Sequence, residues 1–327
     1  MGELFNEDAL VYSAAYAVTM ENEVLPYLKA RQSDESVAGF DGSPLFVSRF
    51  KADENRYGTV FIVHGFTENA VKYSEIIFSL LKNGFSVVAY DQRGHGRSAR
   101  DRSVSDKSLT HVGHFYEYVR DLGCVCAHVK DMPKPWKVFC HSMGGAVTSL
   151  FLMENRDTFG AAAMCAPMIA VNRRGKPYFL SKLICRAFKI CGKGNQRLFF
   201  TRPYSGRETF EGACATGEER FEWYSDIKHG REDFHNNSPS YSWMLASLQV
   251  SQRLLFPGNA SKIACPVVIY SAEDDWEVIN KAQAMFARRL KHGKLVQTKG
   301  TRHEIYRSYD EALFSWWHEV LDFLKEA

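Results

Sequence analysis

The sequence lacks the cysteine patterns that define zinc fingers and disulfide-stabilised domains. Eight cysteines are spread over 327 residues, with no C-x-x-C pair and no Cys/His spacing typical of a finger. Small secreted domains that depend on disulfides are much denser in cysteine. We therefore expect neither a structural metal site nor a disulfide framework, and we expect a cytoplasmic protein in a reducing compartment.

The sequence also lacks a strong charge of one sign and a long apolar run. The formal net charge is +3, far from the basic excess of a dedicated nucleic-acid-binding protein, so nucleic acid is not an expected partner. No stretch approaches the ~18 apolar residues that can span a membrane. The first residues are acidic, without an export signal, and Asn6 stands where myristoylation requires Ser or Thr. We therefore expect neither a membrane span nor a lipid anchor.

Short apolar runs alternate with longer amphipathic runs along most of the chain. The apolar runs predict buried strands at residues 59–63, 86–90, 137–140, 161–165, 267–270 and 295–297. Apolar residues at helical spacing predict helices at residues 72–82, 111–130, 146–155, 280–290 and 309–324. Because parallel strands need crossover connections, this order predicts an α/β fold with a mostly parallel sheet covered by helices on both faces.

The alternation breaks once, between residues 168 and 260. This segment is basic and aromatic, with helical patches at residues 183–190, 218–228 and 241–255 and no strand pattern. A segment of this length is too long for an ordinary connection. We therefore expect residues 1–167 and 261–327 to form the core and residues 168–260 to form an inserted helical cap.

A candidate nucleophile lies at Ser142. A predicted strand leads into His141-Ser142-Met143, and Gly144 and Gly145 open a predicted helix. This is the strand, sharp turn and helix of a nucleophile elbow, where small residues relieve crowding around a strained serine. Cys140 stands where the G-x-S-x-G motif has its first glycine.

An acid and a base follow in the order that this elbow requires. Asp274 and Asp275 come after one late strand, and His303 comes after the next. In open α/β sheets the carboxyl ends of the strands form the active-site edge. A serine needs a base, and the base needs an acid that orients it, so Ser142, His303 and one of the two aspartates form the expected catalytic triad.

The oxyanion hole is expected from two backbone N–H groups. The strand at residues 59–63 runs into His64-Gly65-Phe66, so the N–H of Phe66 can pair with that of Met143. Such groups stabilise the negative charge that develops during acyl transfer. His64 is interpreted as a residue that orders this loop. This chemistry needs no metal or cofactor.

These motifs resemble those of the serine α/β-hydrolases of the monoacylglycerol lipase and lysophospholipase group. The resemblance rests on residues 72–75, 83–85, 91–98, 141–145, 166–168 and 302–305. It implies an α/β-hydrolase fold and assigns residues 91–98 to a structural loop beside the active site. In similar sequences the acid lies nine residues after the proline that opens the strand, which implies Asp275 after Pro266. The following Trp276-Glu277 departs from the usual Arg-Val, which keeps Asp274 as an alternative.

The cap provides the clue to the substrate. Residues 171–207 contain ten lysines and arginines, no acidic residue, and many interleaved apolar side chains. This composition suits an acyl-ester amphiphile with a phosphate head group, or peripheral contact with an anionic membrane surface, at the inner membrane for a cytoplasmic protein. A solvated helical face is the alternative interpretation. Tyr241 and Trp243 are candidate walls of the acyl site, with cap packing as their alternative role.

The sequence therefore predicts a serine hydrolase that cleaves the carboxylic ester of a lysophospholipid. A monoacylglycerol lipase or a small-ester carboxylesterase would share the same catalytic residues. A ligand-binding protein on the hydrolase scaffold is the alternative from another class, because fold alone does not prove activity.

Overall fold

A computed structural model describes residues 9–173 and 175–327. Asn6 lies outside the described residues, and so does Arg174, one of the ten basic residues of the segment 171–207. The strands are β1 Gln32–Ala38, β2 Pro44–Phe50, β3 Thr59–Val63, β4 Ser86–Tyr90, β5 Leu109–Thr110, β6 Trp136–His141, β7 Ala161–Cys165, β8 Ser238–Pro239, β9 Val267–Asp274 and β10 Gly293–Arg302. The helices are α1 Tyr16–Thr19, α2 Leu25–Lys29, α3 Ser74–Lys82, α4 Tyr116–His128, α5 Met143–Glu154, α6 Tyr178–Ile190, α7 Glu218–His229, α8 Tyr241–Leu255, α9 Asn280–Arg289 and α10 Asp310–Glu326.

Eight of these strands form one twisted sheet in the order β1-β2-β4-β3-β6-β7-β9-β10. Strand β2 runs antiparallel to β1 and β4, and the remaining neighbours are parallel. Strands β5 and β8 form a separate two-residue parallel pair. The prediction of a mostly parallel sheet connected by helices is therefore confirmed.

The core lies on both faces of the sheet. Along β3, Phe61 and Val63 point into one apolar cluster, which contains side chains of α4, α5 and α9. Val60 and Ile62 point into the other cluster, which contains side chains of α3 and α10. Because successive side chains of a strand face opposite ways, a central strand covered on both sides must be apolar throughout, as β3 is.

Strands β1 and β2 are not among the predicted strands. Strand β1 is an edge strand with the polar sequence Gln-Ser-Asp-Glu-Ser-Val-Ala, and only Val37 is buried in it. Strand β10, on the opposite edge, extends two residues before and five after its predicted run, and the prediction that this run is buried is wrong, because Leu295 and Gln297 face solvent at the edge of the sheet. Edge strands such as β1 need little apolar sequence, so the hydrophobic pattern underestimates them. Strand β2 is not an edge strand: it lies between β1 and β4, buries Leu45 and Val47 at alternate positions, and could have been predicted from this alternation.

The segment 168–260 carries three helices that pack differently. The side chains of Trp243, Ala246 and Val250 on α8 belong to the core cluster that contains α4 and α5. Trp223 and Tyr224 on α7 belong to the cluster on the other face of the sheet. Helix α6 instead forms a small cluster with α8 through Cys185, Leu198, Tyr241 and Leu245. The division into core and cap stays a prediction, and α6, in which only Cys185 is buried, is the most exposed of the three helices.

Arg220 anchors α7 to the rest of the fold. Its guanidinium is buried and donates to Glu75 on α3 at 2.9 Å and to Asp310 on α10 at 2.7 Å. It also donates to the backbone carbonyl oxygens of Val11 and Ser308. These contacts hold the pKa of Arg220 above its ordinary value despite burial. The guanidinium of Arg220 thus joins the segment 168–260 to the N-terminal segment, α3 and α10.

No helix in residues 9–173 and 175–327 has the length and apolar character that crossing a membrane requires.

We predict that Arg220→Met destabilises the protein by about 3–5 kcal/mol, because two carboxylates lose their buried partner. Urea unfolding followed by circular dichroism measures this loss. Arg207→Met is the matched control, since Arg207 pairs with Glu222 and Asp226 at the exposed surface of α7. Exposed pairs contribute little, so a loss in the control as large as that in Arg220→Met would contradict the anchoring role.

Candidate active site

The carboxyl ends of β3, β6, β7, β9 and β10 meet at one edge of the sheet. Three non-glycine residues with positive φ lie there: Thr67 at 61°, Ser142 at 47° and Ala166 at 42°. Such conformations cost about 1–3 kcal/mol each and persist only where the surrounding structure enforces them. Strained backbone is therefore concentrated in the loops that surround Ser142.

Ser142 forms a sharp turn between β6 and α5. Its φ and ψ are 47° and −115°, and α5 begins at the next residue. The N–H of Ser142 donates to the carbonyl oxygen of Cys165 on β7 at 3.1 Å, and the carbonyl oxygen of Ser142 accepts from Met168 at 2.8 Å. These bonds fix the turn against the neighbouring strand and leave the serine hydroxyl free of the backbone.

Two glycines allow this turn to form. A Cβ at Gly144 would overlap the carbonyl oxygen of Val63, and a Cβ at Gly145 would overlap the ring of Pro167. Cys140, which replaces the first glycine of the motif, is fully buried on β6. Burial raises the pKa of the Cys140 thiol to about 12, so this thiol stays protonated and unreactive.

His303 and Asp275 complete a chain of hydrogen bonds from Ser142. The hydroxyl of Ser142 donates to Nε2 of His303 at 2.8 Å. Nδ1 of His303 donates to Oδ2 of Asp275 at 2.7 Å, and Oδ1 of Asp275 accepts from the N–H groups of Glu277 and Val278. Asp274 is exposed at the end of β9. Of the two aspartates left open by the sequence, the fold brings Asp275 to His303.

Burial and charge adjust the two titratable partners in opposite directions. Burial alone would lower the pKa of His303, but the negative charges of Asp275, Glu277 and Glu304 raise it above its ordinary value. Burial alone would raise the pKa of Asp275, but His303 and two backbone N–H groups hold it below its ordinary value. The arrangement can thus accept a proton on His303 while Asp275 stays ionised.

The two expected oxyanion donors lie at this edge, Phe66 on the loop after β3 and Met143 at the start of α5. Met143 is the first residue of α5, so its N–H has no carbonyl one turn earlier to bond. The N–H of Phe66 donates to no group within the described part of the chain, whereas the preceding Gly65 N–H donates to Glu68 at 2.6 Å. Both N–H groups are therefore available to a ligand.

His64 connects the oxyanion loop to the loop after β4. Its Nε2 accepts from the N–H of Gln92 at 2.8 Å, and the side chain of Gln92 donates to the carbonyl oxygen of His64. Burial lowers the pKa of His64, so the ring is neutral. Nearby, Asp91 accepts from the N–H groups of Ala70 and Arg97, which makes residues 91–98 a loop held by its own side chains.

Tyr241 and Trp243, the two candidate walls of the acyl site, make different contacts. The ring of Trp243 packs against that of Phe66, with 4.1 Å between the centroids, so it contacts the oxyanion loop. The ring of Tyr241 stacks on Phe188 of α6 at 3.8 Å, and its hydroxyl accepts from the N–H of Phe199. Tyr241 thus packs against α6 and the loop after it, which fits its alternative role in packing.

The buried imidazole of His141, behind the expected triad, is not among the predicted site residues. His141, directly before Ser142, contacts both Glu68 and the carbonyl oxygen of His303 at 3.1 Å. The signal that could have found it is the position of His141 inside the elbow itself. Within the described ranges, no cluster of three or more His, Cys, Asp or Glu side chains is arranged to hold a metal ion.

The fold and the hydrogen-bonded Ser-His-Asp chain define an α/β-hydrolase of the serine type. The chain belongs to the hydrolase family described as serine aminopeptidase, S33, whose pattern matches residues 54–310. The predictions of the α/β-hydrolase fold and of a hydrolytic enzyme are confirmed.

Curated relatives share sequence with most or part of the chain. It is 28% identical to lysophospholipase L2 of Escherichia coli strain K12, over 90% of this chain and 88% of the relative. It is 31% identical to human monoglyceride lipase over 40% of this chain and 42% of the relative. The resemblance to the monoacylglycerol lipase and lysophospholipase group is thereby confirmed.

A solved structure shares the fold across nearly the whole chain. A soluble variant of monoglyceride lipase from Saccharomyces cerevisiae, in complex with a substrate analogue, superposes with a TM-score of 0.69. The match covers 90% of this chain and 96% of the other, at 19% identity. At this identity the likeness supports the fold alone.

We predict that kcat/KM for a soluble nitrophenyl ester rises with pH through the pKa of His303, because only the neutral imidazole accepts the serine proton. The negative charge of Asp275 raises this pKa, so the midpoint lies above the ordinary histidine value of ~6.5. Asp275→Asn removes that charge, moves the midpoint to lower pH and lowers kcat by about 10⁴. Rates measured from about pH 5 to 9 test both effects.

Asp274→Asn is the matched control, and it should keep the wild-type rate and midpoint. Loss of activity in Asp274→Asn with retention in Asp275→Asn would reverse the assignment of the acid.

Proposed function

We propose that the protein is a lysophospholipase that hydrolyses the carboxylic ester of a single-chain phospholipid and releases a fatty acid. The chain of hydrogen bonds from Ser142 through His303 to Asp275 carries this proposal, because it supplies a nucleophile, a base and an orienting acid at one site. The similarity to Escherichia coli lysophospholipase L2 over 90% of the chain supports the substrate class.

Acylation begins when Ser142 attacks the ester carbonyl carbon and its proton passes to Nε2 of His303. The N–H groups of Phe66 and Met143 bind the oxyanion of the tetrahedral intermediate. As the intermediate collapses, His303 donates the proton to the departing glycerol oxygen, and the acyl group remains on Ser142. Asp275 stays ionised and stabilises the imidazolium throughout.

Deacylation repeats these steps with water as the nucleophile. His303 takes a proton from water, the hydroxide oxygen adds to the acyl carbon, and the second tetrahedral intermediate uses the same two N–H groups. Collapse returns the proton to the oxygen of Ser142 and releases the fatty acid. Two successive acyl transfers thus account for ester hydrolysis with three side chains and two backbone N–H groups of this chain.

The positive charge of the cap supports a phosphate head group. The basic segment is residues 171–207. Among its described lysines and arginines, only two pair with carboxylates: Arg197 with Asp106, and Arg207 with Glu222 and Asp226. The others include Arg186, Lys193 and Arg202, which face solvent. Exposed cations without a carboxylate partner suit an anionic or zwitterionic amphiphile better than a neutral one.

A monoacylglycerol lipase is the second candidate, since the same catalytic residues serve a neutral ester. The 137-residue similarity to human monoglyceride lipase, at 31% identity, favours it.

We predict that lysophosphatidylglycerol and lysophosphatidylcholine are hydrolysed with kcat/KM at least about tenfold above that of a monoacylglycerol of the same acyl length, because the head group adds charge-assisted contacts. Fatty acid release is measured for these lipids, and nitrophenol release is measured for a short nitrophenyl ester. Ser142→Ala should abolish all ester hydrolysis and all labelling by a fluorophosphonate. A preference for the monoacylglycerol would reject the head-group assignment, and labelling that persists in Ser142→Ala would reject the nucleophile.

We also propose that α6 and the loop after it bind an anionic membrane surface. The α6 face, which we define as the large apolar side chains of this segment that contact solvent, comprises Phe179, Leu180, Leu183, Ile184, Ile190, Phe199 and Phe200. Phe179, Phe199 and Ile190 are more than 70% exposed, and Lys176 lies 4.1 Å from the ring of Phe200. Exposed aromatic groups among cations are typical of interfacial helices.

We predict that Phe199→Ser combined with Phe200→Ser weakens sedimentation with phosphatidylglycerol vesicles at least about tenfold, because both rings lose their insertion into the interface. Hydrolysis of a short soluble ester should not change. Phe256→Ser is the matched control, since Phe256 is 64% exposed but lies outside the α6 face. Equal binding of wild type and double variant, or equal binding to phosphatidylcholine vesicles, would contradict the proposal.

A further inference from the structure

Glu68 is a buried carboxylate with an unusually complete set of donors. It follows β3 by five residues and is 2% exposed. Each of its oxygens accepts hydrogen bonds: Oε2 from the Gly65 N–H at 2.6 Å, the Tyr73 hydroxyl at 2.5 Å and His141 Nδ1 at 3.1 Å, and Oε1 from the Tyr306 hydroxyl at 2.6 Å and Lys72 Nζ at 3.1 Å. Burying an ionised carboxylate is costly unless it is fully satisfied, as it is here.

The first connection of Glu68 leads to the oxyanion loop. The Gly65 N–H points to the carboxylate, so the next N–H in the chain, that of Phe66, is left for the substrate. A Cβ at residue 65 would lie 2.7 Å from Oε2 of Glu68 and 2.8 Å from Nδ1 of His141. Only glycine therefore lets the loop, the carboxylate and the imidazole approach this closely. The strained φ of 61° at Thr67 closes the same turn.

The second connection leads to the backbone of the candidate base. Nδ1 of His141 contacts Glu68, and Nε2 of His141 contacts the carbonyl oxygen of His303, each at 3.1 Å. Each ring nitrogen of His141 therefore has an oxygen within hydrogen-bond distance, and the ring is held from both sides. The ring centroids of His141 and His303 are 4.8 Å apart. His141 thus lies between the carboxylate and the residue that must face Ser142.

The third connection reaches the residue after His303. Lys72 Nζ bridges Oε1 of Glu68 at 3.1 Å and Oε1 of Glu304 at 2.5 Å, and Arg307 donates to the other oxygen of Glu304 at 2.6 Å. Burial alone would raise the pKa of Glu68, but Lys72 and the bonds from His141 and Tyr306 hold it well below its usual range. The carboxylate is therefore ionised at neutral pH and holds both sides of the site.

We propose that Glu68 is a positioning residue that couples the oxyanion loop to His303, so that one buried charge fixes two parts of the catalytic site relative to each other. It acts through Gly65, His141 and Lys72 and does not touch the substrate. The inference rests on the proposed serine-hydrolase mechanism and not on the identity of the lipid. Errors of about 1 Å in such a geometry can lower rates by about 10².

The test is Glu68→Gln, which keeps the shape of the side chain and removes its charge. Activity is measured with a short nitrophenyl ester, and kcat is expressed per site titrated by a fluorophosphonate, so that unfolded protein does not count. We expect kcat per titrated site to fall ~10–100-fold with little change in KM. The rate constant for fluorophosphonate reaction with Ser142 should fall in parallel, because it needs the same base and the same oxyanion hole.

Two further variants separate positioning from folding. His141→Asn keeps a donor near Nδ1 but removes the contact with the His303 carbonyl, so it should lower kcat per site and leave the melting temperature close to that of wild type. Tyr224→Phe is the matched control, because this buried hydroxyl accepts from Asn69 and not from the network of Glu68. It should keep the wild-type kcat.

If the role of Glu68 were purely structural, Glu68→Gln would lower the melting temperature and the fraction of titratable sites, while kcat per site would stay within about twofold of wild type. That result would overturn the proposal. Failure of the lysophospholipase assignment would show instead as wild-type enzyme that hydrolyses the short ester but not lysophospholipids. The fluorophosphonate rates of wild type and Glu68→Gln decide the question even then, since they require no ester substrate.

Discussion

The strained turn at Ser142 is the constraint on which the site depends. A positive φ at a serine is unfavourable, and it is enforced here because α5 begins against the carbonyl oxygen of Val63, where only a glycine fits at position 144. The neighbouring strand β7 completes the enforcement through the bond from Ser142 to Cys165. The parallel sheet therefore does more than support the site. The positions of its strands hold Ser142 in the conformation in which the hydroxyl points to His303. Packing of the core compensates the free energy of this strained conformation.

Much of this site follows from local sequence, and the rest depends on contacts across the fold. The central strands are apolar throughout and the elbow is contiguous, so both could be predicted, as could the serine, the histidine and the pair Asp274 and Asp275. The edge strand β1 is mostly polar and carries no such signal. The contacts of His141 with Glu68 and His303 join residues 73 and 162 positions apart in the chain, which no local pattern indicates.

The insertion explains why a nearly neutral protein can carry a strongly basic surface. Its helices α7 and α8 are bound to the core through Arg220 and through Trp243, so they extend the hydrolase scaffold. Helix α6 is bound mainly to α8 and leaves most of its large apolar side chains, together with Arg186, exposed to solvent. The clustered charge of this segment is balanced by acidic residues elsewhere, which is why the net charge of +3 conceals it. The same surface thus suits an amphiphilic substrate and the membrane from which such a substrate comes.

The central claim is that Ser142 forms a covalent acyl intermediate during hydrolysis of a lysophospholipid. Rapid acid quenching of enzyme mixed with lysophosphatidylglycerol, followed by proteolysis and mass spectrometry, tests it directly. The account predicts a fatty-acyl group on the peptide that contains Ser142, at early times, in amounts that decline as the substrate is consumed. An acyl group on another residue would contradict it. A Ser142→Ala enzyme that releases fatty acid at the wild-type rate, with oxygen from water in the acid, would also contradict it.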